Sequence, residues 1–209
     1  MKKRIFAILL SALLMASATA CNQVPDNIPE NETESTAEEL NADANGISII
    51  ACGDHYCYYR IEGTFEYGCE IYGANGGIVF SEKTKRPMTV SEITPALIEI
   101  RIGYGTGING RRYYSIETEK MSEEFFYVVA NHGTKIAYVT YSTGDLNDRK
   151  LMVQDVFQPI DSGQSFVLDF SPTHTPVIEA EFLEGGSTFS LTYYEGQIYA
   201  TKQAEFSLE

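Results

Sequence analysis

Apolar and polar residues alternate along many short segments of the chain after residue 46. The segment ALIEIRIGY (96–104) places its isoleucines on one face and Leu97, Glu99 and Arg101 on the other, and KIAYVTY (135–141) and TFSLTYY (188–194) alternate in the same way. A period of two with one more apolar face is typical of antiparallel sheet. The helix candidate EKMSEEFFYVV (119–129) is better explained as a strand, because its second half is rich in β-favouring residues.

The strands recur in sets. Three sets follow one another over residues 87–128, 135–171 and 176–209, and a partial set covers residues 58–83. Between the long strands of successive sets, Ile98 and Ala137 are 39 residues apart and Ala137 and Ser190 are 53 apart. We therefore predict an all-β, antiparallel meander of about 12–14 strands over residues 47–209, arranged in four-stranded units.

A repeat of roughly 40–50 residues with four strands per unit resembles the blades of β-propellers. The resemblance covers most of residues 58–209, although the chain has no tryptophan and so no W-D signature. About three and a half sets are few for a closed ring. The resemblance therefore implies a short or open propeller-like meander, with a β-sandwich as the alternative.

The first residues have the features of a secretory signal. A basic start, Met1–Arg4, precedes the apolar run 5–16, which is shorter than the roughly 20 residues that a membrane-spanning helix needs. The small residues 17–20 lead directly to Cys21, and this stretch resembles the lipobox of bacterial lipoproteins. It implies a signal peptide at 1–20, lipid attachment at Cys21, and a location on the extracytoplasmic face of the cell membrane. The A-x-A pattern at 18–20 keeps a secreted, unlipidated protein as the alternative.

Residues 21–46 predict a disordered acidic tether. From 22 to 46 there are seven acidic residues, no aromatic residue and no lysine or arginine, so little apolar surface is available for burial. Setting aside these seven acids and the three basic signal residues leaves 12 basic and 22 acidic residues in the domain. A net charge near −10 makes nucleic acid a poor partner.

Three cysteines follow the tether. In CYYRIEGTFEYGC (57–69) a hairpin that turns near Gly63 brings Cys57 opposite Cys69, and this pair is the preferred disulfide. Cys52–Cys57 is the alternative pairing. We expect no metal site, because the spacing of Cys52, His55 and Cys57 matches no standard zinc motif.

The segment Gly105-Thr-Gly107-Ile-Asn-Gly110 spells G-x-G-x-x-G. A dinucleotide site needs a helix directly after this motif, whereas RRYYSI (111–116) has the composition of a strand. We predict a hairpin that joins 97–104 to 111–117 and contains the turn dipeptide Asn109-Gly110. The alternative is a functional loop whose ligand contacts come from four neighbouring side chains: Tyr104, Arg111, Arg112 and Tyr113.

Catalytic motifs are scarce. The chain has neither G-x-S-x-G nor H-E-x-x-H, and its many acids make no particular carboxylate pair informative. We predict no catalytic residue and no cofactor. The expected function is a lipid-anchored binding or assembly module that takes a protein or glycan ligand, with the oligomeric state left open. The alternatives are a glycan hydrolase with paired carboxylates and a purely structural envelope protein.

Overall fold

The computed structural model describes residues 46–141, 149–173 and 175–208. The predicted signal peptide, Cys21 and nearly all of the acidic tether lie outside the described residues. The described part contains sixteen strands and a short 3-10 helix, Glu184–Gly186. All strand pairings are antiparallel. No helix in these ranges is long and apolar enough to cross a membrane.

The strands form four sheets that follow one another along the chain. The first sheet contains β1 (Ile47–Cys52), β2 (Tyr56–Ile61), β3 (Glu66–Tyr72) and β4 (Ile78–Thr84). The second contains β5 (Met88–Thr94), β6 (Leu97–Gly105), β7 (Ile108–Ser115), β8 (Lys120–Met121) and β9 (Phe125–Phe126), with both β8 and β9 paired to β7. The third contains β10 (Val128–His132), β11 (Lys135–Tyr141), β12 (Arg149–Asp155) and β13 (Gln164–Val167). The fourth contains β14 (Val177–Leu183), β15 (Thr188–Glu195) and β16 (Ala200–Ser207).

The all-β, antiparallel prediction is confirmed, and the predicted sets correspond closely to the four sheets. The partial set gains a fourth strand, β1, and therefore forms a complete unit. The strand number is higher than predicted because β8 and β9 have only two residues each. Such short strands carry too few positions to show a period of two.

The central strands of the second sheet, β6 and β7, are largely buried on both faces. Ile98, Ile100 and Ile102 of β6 pack in one cluster with residues of the first sheet, including Tyr58 and Ile71. On the opposite face, a second cluster combines residues of the second and third sheets: Leu97, Tyr113, Phe125, Val128, Ile136, Tyr138, Met152 and Val156. The more polar face of β6 is thus largely covered as well: Leu97 and Glu99 are buried, and Arg101 keeps 42% of its side chain exposed.

A third cluster joins the third sheet to the fourth. It contains Val139 and Leu151 from the third sheet and Phe189 and Leu191 from the fourth. None of the three clusters combines residues of the first and fourth sheets. The sheets are therefore packed in chain order as blade-like units, an arrangement consistent with a propeller-like or sandwich fold.

The disulfide prediction requires a correction. The β2–β3 hairpin turns near Gly63 as expected, but its register sets Tyr58 opposite Cys69 and Cys57 opposite Glu70. Successive side chains of a strand point to opposite faces, so Cys57 and Cys69 are on different faces of the sheet. Cys57 instead lies opposite Cys52 across β1 and β2, and these two form the disulfide, with their Cα atoms 4.2 Å apart.

Cys69 is a free cysteine in the core. Its exposed fraction is 0%. Burial, with the nearby carboxylate of Glu82 as the second cause, raises the pKa of Cys69 to about 12. Since the thiolate is the nucleophile, both effects suppress its reactivity at neutral pH.

We expect native protein to resist alkylation at Cys69 at pH 8 and to react there promptly in denaturant. Peptide mapping without reduction measures this and separates Cys69 from Cys21 and from the linked pair Cys52–Cys57. A Cys69→Ser variant, which should lose the denaturant-dependent label, is the control. Rapid labelling of Cys69 in the native protein would contradict the assigned register.

Candidate functional site

The glycine-rich segment is a hairpin, as predicted. Gly105, Thr106 and Gly107 have φ values of +86°, +49° and +80°, and they form the tip between β6 and β7. A strand follows rather than a helix, so the segment offers no helix N-terminus for a pyrophosphate. The predicted turn at Asn109-Gly110 is wrong, because both residues belong to β7 and pair with β6.

Gly110 is required for a different reason. A Cβ atom at this position would lie 2.1 Å from Glu124 Oε1 and 2.9 Å from Tyr104 Cε2. The carboxylate of Glu124 therefore lies directly over the backbone of β7. Glycine at this position leaves space for an acidic side chain rather than for a turn.

Glu124 is held in this place by two neighbours. The Tyr104 hydroxyl donates a hydrogen bond to Glu124 Oε1 at 2.7 Å, and Arg112 Nη2 lies 3.6 Å from Glu124 Oε2. Arg112 Nη1 also donates to Glu82 of the first sheet at 2.8 Å. The guanidinium of Arg86 stacks over the Tyr104 ring at 4.1 Å from its centroid. Burial and the hydrogen bond to Glu124 raise the pKa of Tyr104.

The two adjacent arginines connect neighbouring sheets. Arg111 points away from Arg112, pairs with Glu99 at 3.2 Å and donates to the carbonyl oxygen of Val128 at 3.3 Å. Glu99 is only 3% exposed and also pairs with Arg101 at 2.8 Å. Both predicted ligand-binding arginines are thus engaged in ion pairs within the protein. Their contacts explain the Arg-Arg dipeptide without any ligand.

Tyr113 does not belong to a surface site. Its exposed fraction is 0%, and it packs beside Phe125 in the second cluster. Burial raises the pKa of its hydroxyl, with the nearby carboxylate of Glu99 as the next cause. Of the four predicted contact residues, Tyr104 is the one that lines a cavity described below.

A cleft of about 450 Å³ lies between the edge of the second sheet and the third sheet. Aromatic rings and two carboxylates line most of it. The lining residues are Tyr104, Ile108, Glu124, Phe125, Phe126, Tyr127, Tyr138, Val139, Thr140, Ile160 and Asp161. Phe126 is 36% exposed and meets the Tyr104 ring edge-on at 5.3 Å. We call this cavity the aromatic cleft.

Two of the seven non-glycine residues with positive φ in the described part of the chain line the aromatic cleft. Tyr127 and Asp161 line it with φ values of +53° and +62°, and Thr106 lies at the adjoining hairpin tip. Tyr127 also borders two further cavities near Gly107 and Thr175. A bulky residue in the left-handed region costs of order 1–3 kcal/mol, and such residues cluster at functional sites.

Tyr138 links the floor of the cleft to its rim. Its hydroxyl lies 2.8 Å from Gln154 Oε1 and 3.0 Å from Asp161 Oδ1, and it accepts a hydrogen bond from the Asp161 amide at 2.9 Å. Burial raises the pKa of Tyr138, so its hydroxyl stays protonated at neutral pH. The hydroxyl oxygen of Tyr138 on β11 thereby contacts Gln154 on β12 and Asp161 in the loop that follows β12.

Several residues of the aromatic cleft carry no signal in the sequence. Glu124 and Asp161 are two acids among many, and Phe126 is one of eleven phenylalanines. Their convergence depends on how two sheets meet, which local patterns do not encode. The position of Tyr104 next to a glycine-rich hairpin was the one feature of the sequence that pointed to the aromatic cleft.

The class defined by this fold and cleft is an all-β protein of stacked, blade-like antiparallel sheets with an aromatic cleft between two of them. No protein-family model matches the chain, and no curated protein matches it. It is similar to the crystal structure of TolB from Acinetobacter baumannii, with 15% identity and a TM-score of 0.35. The match covers 68% of this chain and 35% of that one, so the chain spans about a third of TolB. At this TM-score the likeness carries no argument about function.

We expect Gly110→Ala to lower the free energy of unfolding by about 1–3 kcal/mol, because the new methyl group displaces Glu124 and crowds Tyr104. Urea denaturation measures the change. Gly103→Ala is the matched control on the neighbouring strand, since its added Cβ would find its nearest neighbour at 3.5 Å. Equal effects of the two substitutions would show that Glu124 does not lie over β7.

Proposed function

We propose that this protein is a lipid-anchored, non-catalytic binding or assembly module on the extracytoplasmic side of the membrane, and that the aromatic cleft receives a protein or glycan ligand. The anchoring rests on the signal-like residues 1–20 and on Cys21. The Cys52–Cys57 disulfide supports an oxidising compartment.

The aromatic cleft is the observation that supports binding. Its volume is in the range of ligand pockets, roughly 300–1,000 Å³. Phe126 keeps more than a third of its surface exposed although it lies beside a well-packed core. Partly exposed aromatic rings next to fixed polar groups are typical of recognition surfaces.

A glycan hydrolase is the second candidate, because Glu124 and Asp161 line the same cleft. Glycoside hydrolysis needs one carboxyl group to donate a proton and another to act on the opposite side of the sugar. Both oxygens of Glu124 already have internal partners, Tyr104 and Arg112. These partners favour a structural role for Glu124, and they make binding the preferred function.

The binding proposal predicts that Phe126→Ala abolishes capture of an envelope partner by the full-length protein. The substitution removes an exposed ring of the cleft together with its contact area, and truncation of a large aromatic residue at an interface is often costly. Chemical crosslinking in intact cells, followed by purification and mass spectrometry, measures the captured partner. Ile178→Ala is the matched control, because Ile178 is 48% exposed on β14 of the fourth sheet.

Three further outcomes separate the alternatives. A Cys21→Ser variant should leave the membrane fraction, and its retention there would contradict lipid anchoring. Turnover of a glycan panel that is lost in Asp161→Asn would establish the hydrolase instead. Identical partners for wild type and Phe126→Ala would reject the cleft as the binding site and favour a structural envelope role.

A further inference from the structure

We propose that the aromatic cleft binds a positively charged organic group, the ammonium or guanidinium of a lysine or arginine side chain on a partner protein, with Asp161 as its counter-charge. The inference rests on the proposed binding function and names the chemistry of the ligand.

The first observation is that the two carboxylates of the cleft differ in their internal partners. Glu124 has Tyr104 at one oxygen and Arg112 near the other. Asp161 is exposed on the rim, and among the described residues no lysine or arginine forms an ion pair with it. The charge of Asp161 is therefore available to a ligand.

The second observation concerns the hydroxyl proton of Tyr138. This hydroxyl has one proton and two acceptors within reach, the amide oxygen Gln154 Oε1 and the carboxylate oxygen Asp161 Oδ1. Gln154 is buried, and its amide nitrogen donates to the carbonyl oxygens of Gln158 and Pro159, which fixes its oxygen toward Tyr138. Whichever of the two acceptors takes the proton, the second carboxylate oxygen, Asp161 Oδ2, has no hydrogen-bond partner among the described residues. Asp161 is left with acceptor capacity that only water or a ligand fills.

The third observation is that two hydroxyl donors of the lining, those of Tyr104 and Thr140, are already used within the protein. The Tyr104 proton goes to Glu124, and the Thr140 hydroxyl exchanges hydrogen bonds with the backbone of Lys150. Sugar hydroxyls act as donors and acceptors together, whereas ammonium and guanidinium groups only donate. A lining with acceptors and few free donors favours the cation over a glycan.

The aromatic rings fit the rest of such a side chain. Arg86 already stacks over the Tyr104 ring, so the partly exposed ring of Phe126 is the one against which the methylene stem of lysine or arginine can pack. Cations are also attracted to aromatic faces. The net charge of about −10 over the domain adds a long-range attraction for a basic partner.

The test uses four probes with the full-length protein in detergent and measures affinity by saturation-transfer NMR titration. The probes are Nα-acetyl-lysine amide, Nα-acetyl-arginine amide, the neutral isostere Nα-acetyl-norleucine amide, and N-acetylglucosamine. We expect the two cationic probes to bind about tenfold more tightly than norleucine, and to weaken as salt rises. N-acetylglucosamine should show no saturable binding.

Asp161→Asn should lower the affinity for the cationic probes by about tenfold, because it removes the charge and keeps the shape. Asparagine tolerates the positive φ of this position, and thermal unfolding verifies that the variant is folded. Glu181→Gln is the matched control, because Glu181 is an exposed acid on β14 of the fourth sheet. It should leave all affinities unchanged.

Three results would overturn the inference: no binding of the cationic probes, binding that Asp161→Asn does not weaken, or preferential binding of N-acetylglucosamine. The proposed binding function is judged separately by the Phe126→Ala crosslinking experiment. If that variant loses its partner while the cationic probes fail, only the ligand class is wrong. If the variant keeps its partner and the probes fail, both proposals are wrong.

Discussion

Burial of β6 and β7, the central strands of the second sheet, on both faces is the constraint on which the rest of the structure depends. β6 sends isoleucines toward the first sheet and Leu97 toward the third, and β7 does the same with Tyr114 and Tyr113. A carboxylate in the covered part of β6 needs counter-charges within the protein. Glu99, which is 3% exposed, pairs with Arg101 and Arg111, and Arg101 keeps 42% of its side chain exposed. Removing one member of such a buried cluster is costly, since the others lose their compensation.

The same constraint creates the aromatic cleft. The outer strands of the second sheet, β8 and β9, have two residues each and cover little of the edge of β7. Phe125 turns into the core, whereas Phe126 and Tyr104 remain at the margin between two sheets. Of the two acidic residues there, Glu124 has an arginine of the protein beside it as a counter-charge. Asp161 has no ion pair with a described lysine or arginine. The aromatic cleft thus results from the way in which one sheet ends before the next begins.

The sequence predicted the features that local patterns encode. The period of two, the glycines at 63, 105 and 107, and the lengths of the sets were enough for an all-β fold and for two hairpin positions. Register was not predictable at this level. A shift of one residue in the β2–β3 hairpin moved Cys69 to the face opposite Cys57, and it reversed the order of the two disulfide candidates.

The partners of the charged residues were also beyond local patterns. Arg112 forms an ion pair with Glu82, thirty residues earlier. The carboxylate of Glu124 fills the space beside Gly110 in which a Cβ atom would lie. The first relation depends on the packing of two sheets, and the second depends on the pairing of β9 with β7. In the structure Arg111 and Arg112 form ion pairs within the protein, and of the four predicted ligand-contact residues Tyr104 is the one that lines the aromatic cleft.

Native-state hydrogen exchange, followed by mass spectrometry on the full-length protein, tests the double-sided burial of the second sheet most directly. Amides in the interior of β6 and β11 should exchange only through global unfolding, because sheets pack on both of their faces. Amides of β16, at the free edge of the fourth sheet, should exchange faster. Exchange of β6 that is as fast as that of β16 would contradict the account.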